Sequence, residues 1–284
     1  MRILIAGLGD LGTEVARLAV GEAREVFGLR RSPARAPGGV TLLRGDVTDP
    51  GTLELPPALD VAVYCVAADA RNEGAYRRAY PEGLSHVLGA LATESPEARV
   101  LFVSSTGVYG DAGGAWVDEE TAPAPESFTG RAMLEAEAVL ERSGFDGTSL
   151  RLGGIYGPGR TSLLDAVRSG RPFPAAAMDR WTNRIHRDDA ARATLHVAEA
   201  SSSPPTLNVV DPHPAPRHEV LEWLATRLGQ VIVTSTDRPA RTGNADRRVS
   251  SGRLAATSFQ FLFPSFRDGY EALLRGAPSV SDGA

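Results

Sequence analysis

The chain has 284 residues, 42% of them hydrophobic, enough to build a large α/β unit with a substantial buried core. A formal charge of -5 gives no general attraction for nucleic acid or an anionic membrane, and no apolar stretch approaches the length of a membrane span. The single cysteine, Cys65, excludes an intrachain disulfide and a thiolate metal cluster, and without a signal core the expected location is the cytoplasm.

In the first half, apolar runs of β type alternate with helical patterns, the order expected of a parallel sheet covered by helices on both faces. Strands are expected at 2–6, 25–29, 41–44, 61–66, 100–104 and 148–152, apolar through much of their length as in doubly buried strands. Leu11, Val15, Leu18 and Ala19 repeat at helical spacing, as do Leu84, Val87, Leu88 and Leu91 within 82–92, and Leu134, Ala138 and Val139 mark a third helix. A further helix is expected at 188–200, just after His186. The stretches 157–174 and 204–216, the second with five prolines, read as crossings between two lobes. The expected division is a dinucleotide-binding domain at 1–156, with 182–212 contributing, and a smaller substrate lobe at 157–181 and 213–284. Within that lobe, 217–228 reads as an amphipathic helix, 231–234 as a short strand, 265–274 as a last helix and 276–284 as a polar tail.

Gly7, Leu8, Gly9, Asp10, Leu11 and Gly12 form G-x-G-x-x-G between the first strand and the first helix. In that context Gly7 permits the tight turn, Gly9 lets backbone approach a pyrophosphate, and Gly12 lets helix and strand pack closely, while the helix N-terminus offers amide donors and partial positive charge. An NAD-specific site usually carries a carboxylate after the second strand; here stand Arg30, Arg31 and Ser32, whose guanidinium forks suit the 2'-phosphate of NADP. NADP(H) is therefore the expected cofactor ahead of NAD(H). Asp46, followed by Val47, can accept a hydrogen bond from the adenine amino group or equally cap a turn. Ala67 and Ala68 after the fourth strand leave room for the cofactor, or serve ordinary close packing.

These motifs, with Gly45-Asp46-Val47-Thr48-Asp49, Ser104 to Gly110, Arg151 to Gly157 and Arg184 to Asp189, resemble the extended short-chain dehydrogenase/reductase superfamily, which includes sugar-nucleotide epimerases and dehydratases. The resemblance implies a Rossmann doubly wound parallel sheet with a smaller C-terminal substrate lobe, and a homodimer through the helices flanking Leu84 and Leu134. It places Ser105 at the family's catalytic hydroxyl. It also places Thr129 where the catalytic tyrosine belongs and Met133 where its lysine belongs, so the usual acid/base pair is missing and the chain resembles an atypical branch. Candidate substitutes are Thr106, Tyr109, Tyr76, Tyr156 and His186. Tyr156, Trp181, Asn183, Arg184 and His186 are expected near the substrate pocket. Arg247, Arg248 and Arg253 form a basic cluster suited to an anion or, more simply, to a solvated surface. The five histidines show no metal-ligand spacing, and no metal is expected.

The leading reading is an NADP(H)-dependent oxidoreductase acting on a carbonyl or alcohol of a small metabolite. The alternatives are an epimerase or dehydratase that returns its hydride each cycle, and a catalytically silent protein that senses the dinucleotide.

Overall fold

The structure, a computed structural model, describes residues 1–21, 24–32, 36–236 and 245–276. Strand β1 (Arg2–Ala6) sends Leu4 and Ala6 into one apolar layer and Ile3 and Ile5 into the other, because successive strand side chains point to opposite faces. The same alternation in β2 (Glu25–Arg30) separates Phe27 from Val26. In β4 (Val61–Tyr64) and β5 (Arg99–Ser105) it separates Tyr64 from Val63 and Phe102 from Leu101.

With β3 (Val40–Arg44), β6 (Gly147–Leu152) and β7 (Thr206–Val209), these strands form a seven-stranded parallel sheet in the order β7-β6-β5-β4-β1-β2-β3. The strand order reverses beside β1, and a crevice at the carboxyl ends there is where doubly wound sheets bind ligands. Ala6 lies level with Leu29 on one side and Tyr64 on the other, so Gly7, Arg30 and Cys65 all emerge at that edge. Helices α1 (Asp10–Ala19) and α4 (Arg187–Glu199) cover one face with Val15, Ala190 and Val197. Helices α2 (Gly83–Glu94) and α3 (Phe128–Arg142) cover the other with Leu84, Val87, Ala136 and Leu140.

A third core joins Val220, Leu221 and Leu224 of α5 (Arg217–Leu228) to Phe266 and Tyr270 of α6 (Phe266–Leu274), with Leu164, Phe173 and Tyr156. A capping box between Ser265 and Asp268 starts α6 by satisfying its first amides.

Three expectations change. The proline-rich stretch contains β7, since prolines 204, 205 and 212 only flank Thr206–Val209, whose Leu207 and Val209 are fully buried against β6. The short strand expected at 231–234 is Thr234–Ser235 paired with Phe173–Pro174, while Val231 is 81% exposed. In α3 the fully buried face runs through Ala132, Met133, Ala136, Glu137 and Leu140, where Arg151 partners Glu137, while Leu134 and Val139 are partly buried against the same core. The polar tail lies, from residue 277 on, outside the described residues.

Candidate dinucleotide and substrate sites

A cavity of about 240 Å³ opens at the carboxyl edge between Gly7, Leu8 and Gly9 on one side and Arg30, Arg31 and Ser32 on another, with Asp46, Val47 and Ala67 completing the wall. The three glycines have distinct constraints. Gly7 sits at φ +102, and a Cβ there would come within 2.7 Å of the Val66 amide nitrogen; one on Gly12 would come within 2.0 Å of the Gly7 carbonyl oxygen. A Cβ on Gly9 would meet nothing within 4 Å, so this glycine faces open space. Immediately after it α1 begins without a side-chain cap, leaving its positive end available. An uncapped helix start behind an open glycine fits the pyrophosphate of a dinucleotide.

Around the cavity, Arg30 donates to the Ser32 hydroxyl at 3.0 Å, and Arg31 makes two 2.8 Å bonds to Asp69 while standing 3.7 Å from Asp46. Asp46 also accepts from the amide and hydroxyl of Thr48 at 2.9 and 2.8 Å, which is the turn-capping role. Asp69 and Arg78 line the cavity unforeseen; the acidic residue two places after Ala67 was the available signal. Cys65 lines it as well, its thiol donating to the Gly7 carbonyl at 3.2 Å and pushed up to about 12 by burial, so it is a protonated packing group.

Four predicted cofactor residues stand outside the wall. Leu11 is buried in the sheet layer, Gly12 packs on Gly7, and Ala68 packs against the opposite layer. The Asp10 carboxylate turns to Arg160, with Arg187 at 3.7 Å.

A second cavity, about 610 Å³, lies between the sheet edge and the C-terminal lobe, walled by Thr106, Gly154, Tyr156, Trp181, Thr182, Asn183 and several arginines. Of the predicted residues, Thr106, Tyr156, Trp181, Asn183 and Arg184 meet there, while Ser105 is not on the wall. Asn183 spends its amide on the Arg247 carbonyl at 3.0 Å and the Val249 N–H at 2.7 Å, so its side chain ties segments together. Tyr156 stacks on Tyr270 at 4.6 Å and donates to the Ser265 carbonyl at 3.3 Å; burial raises its phenol above the usual range. Ser105, adjacent to Thr106 and half-buried, accepts the Gly107 N–H at 3.0 Å, which leaves its own proton free to donate.

Two candidates leave the catalytic and substrate sets. Tyr109 is 2% exposed, bonded to Asn208 and Arg151 at 2.9 Å each, and its phenol is raised by burial. His186 is 2% exposed, accepts the Asp188 amide as the N-cap of α4, and is lowered to about 4 by burial and the neighbouring Arg187 charge. It is a neutral structural group. Thr129 bonds Ser127 at 2.9 Å, and Met133 packs in the core. The basic cluster also separates. Arg248 lies over the Trp116 and Trp181 rings and Arg253 pairs with Glu120, but Arg247 is buried on the wall of the second cavity, contrary to the solvated reading.

A reversed parallel sheet with this glycine turn and open helix start defines a Rossmann dinucleotide-binding protein. Residues 7–201 match the NAD(P)H-binding family, and the chain belongs to it. It is 30% identical over 244 residues to protein YeeZ of Escherichia coli strain K12, covering 80% of this chain and 84% of that one. It is also 30% identical over 253 residues to a 3-diazoavenalumate denitrifying reductase of Streptomyces sp, covering 81% and 82%. A structure from Methylobacillus flagellatus, assigned to the NAD-dependent epimerases/dehydratases, superposes with a TM-score of 0.81 at 39% identity, covering 97% of this chain and 98% of that one.

Proposed function

We propose that the protein is an NADP(H)-dependent oxidoreductase that reduces a carbonyl, or oxidises the corresponding alcohol, of a small metabolite. The observation that carries this reading is the pairing of two cavities across the glycine turn. Arg160 lines the second cavity and bonds Asp10, next to Gly9 on the wall of the first. Arg30, Arg31 and Ser32 in the first favour the phosphorylated cofactor.

Bound NADPH supplies the hydride. The chain's own groups orient and polarise. Ser105, with its oxygen already accepting the Gly107 amide, directs its proton to the carbonyl oxygen, and Thr106 forms the wall beside it. The second cavity holds the substrate in one orientation, and water delivers the proton to the product oxygen. An epimerase cycle, like oxidation of an alcohol, needs a base for an alcohol proton, and the family resemblance puts Thr129 and Met133 at those positions, with Met133 in the core, so reduction is the favoured direction.

The test is turnover of a carbonyl panel with NADPH carrying deuterium at C4 of the nicotinamide. Deuterium in the product alcohol supports net reduction. Label that stays with the cofactor while substrate is epimerised, or no turnover of any carbonyl, would overturn it.

A further inference from the structure

Six arginines, Arg160, Arg171, Arg180, Arg184, Arg217 and Arg247, lie on the wall of the second cavity, and no aspartate or glutamate lines it among the described residues. Their surroundings differ. Arg160 is answered by Asp10, Arg184 bonds the Thr182 hydroxyl near Asp211, and Arg171 is exposed to water.

Arg247 is only 7% exposed, yet no carboxylate among the described residues lies within ion-pair distance of it. One terminal nitrogen donates to the Thr106 carbonyl at 2.7 Å, another to the Gly110 carbonyl at 3.3 Å, and the buried Nε has no partner. Carbonyl dipoles do not neutralise a cation, and burial weakens the hold of this guanidinium on its proton more than Asp111 and Glu126, both beyond ion-pair distance, strengthen it. A guanidinium without a paired carboxylate, on the wall of a cavity lined by arginines and no acidic residue, suits a planar or tetrahedral oxyanion.

The location limits the chemistry further. Arg247 bonds the backbone of Thr106, the cavity residue next to Ser105, so a group held there lies at the end of the cavity where the proposed function puts the carbonyl. We infer that the substrate is a compact anion whose carboxylate or phosphate, close to its carbonyl, is held by Arg247. This rests on the reading of the second cavity as the substrate site. The arginine acts as a specificity determinant, rejecting neutral carbonyls because they leave its charge unanswered.

Calorimetric titration of the NADP⁺-loaded protein with malonate, inorganic phosphate and the neutral isostere malonamide tests this. Malonate or phosphate is expected to bind and malonamide not, with the tighter anion distinguishing carboxylate from phosphate. Arg247→Gln is expected to weaken the anion at least about tenfold and leave NADP⁺ affinity within about twofold, and Arg247→Lys to recover part of the loss. Malonamide binding as tightly as malonate, no anion binding to the wild type, or equal anion binding to Arg247→Gln would overturn the inference. If Arg247→Gln does not fold, Arg247→Lys carries the comparison: weaker malonate binding than the wild type supports the inference and unchanged binding overturns it. Failure of NADP⁺ to bind would sink the cofactor reading alone, and the same comparisons on the bare chain would still decide the anion.

Discussion

Arg31 and Asp69 face each other across the cofactor cavity and close a two-pronged ion pair with both distances at 2.8 Å. Both side chains are more than half exposed, so the pair contributes little to stability. Its importance is electrostatic, since the Asp69 carboxylate occupies both terminal nitrogens of Arg31 and puts a negative charge beside the position proposed for the 2'-phosphate. Asp69→Asn removes that charge and frees the guanidinium. NADPH should then bind about three- to tenfold tighter, with NADH nearly unchanged, by competitive titration. Unchanged or weakened NADPH binding would remove Arg31 from the phosphate site.

The glycine turn makes a paired prediction. Gly9→Val places its side chain in open space, so the protein should fold with nearly the wild-type Tm and lose at least about tenfold in NADP(H) affinity. Gly12→Ala drives a Cβ to 2.0 Å from the Gly7 carbonyl and should lower the Tm itself. A Gly9→Val protein that binds cofactor normally would place the pyrophosphate elsewhere.

Asp211 is 2% exposed, accepts the His213 amide at 3.0 Å and has an unpartnered second oxygen; burial pushes its carboxyl up to about 7 from 3.8. The folded state therefore binds a proton that the unfolded state has lost, and stability from this group declines as pH rises from about 4 to about 7. His186, lowered to about 4, acts in the opposite direction, so wild-type stability alone does not isolate Asp211. Asp211→Asn should stabilise by about 1–3 kcal/mol near pH 8 and by almost nothing near pH 4 in urea unfolding. An equal effect at both pH values would mean that Asp211 is not protonated in the fold.

Glu137 and Arg151 are buried together at 2.7 Å, with Ser104 also donating to Glu137 at 2.5 Å. Glu137→Gln leaves the guanidinium without its counter-ion and should cost about 3 kcal/mol in chemical denaturation, with NADP(H) affinity retained. A loss below about 0.5 kcal/mol would show that the pair is solvated in solution.

Features encoded locally were legible in the sequence. The apolar runs of β1, β2, β4 and β5 and the spacing of Gly7, Gly9 and Gly12 are set by strand burial and turn geometry, and the structure has them where the pattern put them. What was hidden depends on distant partners. Asp69 pairs across 38 residues with Arg31, and Arg247 reaches Thr106 across 141. Glu137 reads as a surface residue until Arg151 neutralises it, which is why the sequence did not show it within the buried face of α3. Tyr109 and His186 have chemically suitable side chains, but nothing local records that they are sealed from the cavity by packing.

Calorimetric titration of the purified protein with NADPH and with NADH, repeated on Arg30→Glu, tests the cofactor assignment most directly. The predicted result is NADPH binding at least about tenfold tighter, a margin of about 1.4 kcal/mol that the substitution abolishes. Equal affinities insensitive to Arg30→Glu, or no binding of either nucleotide, would contradict it.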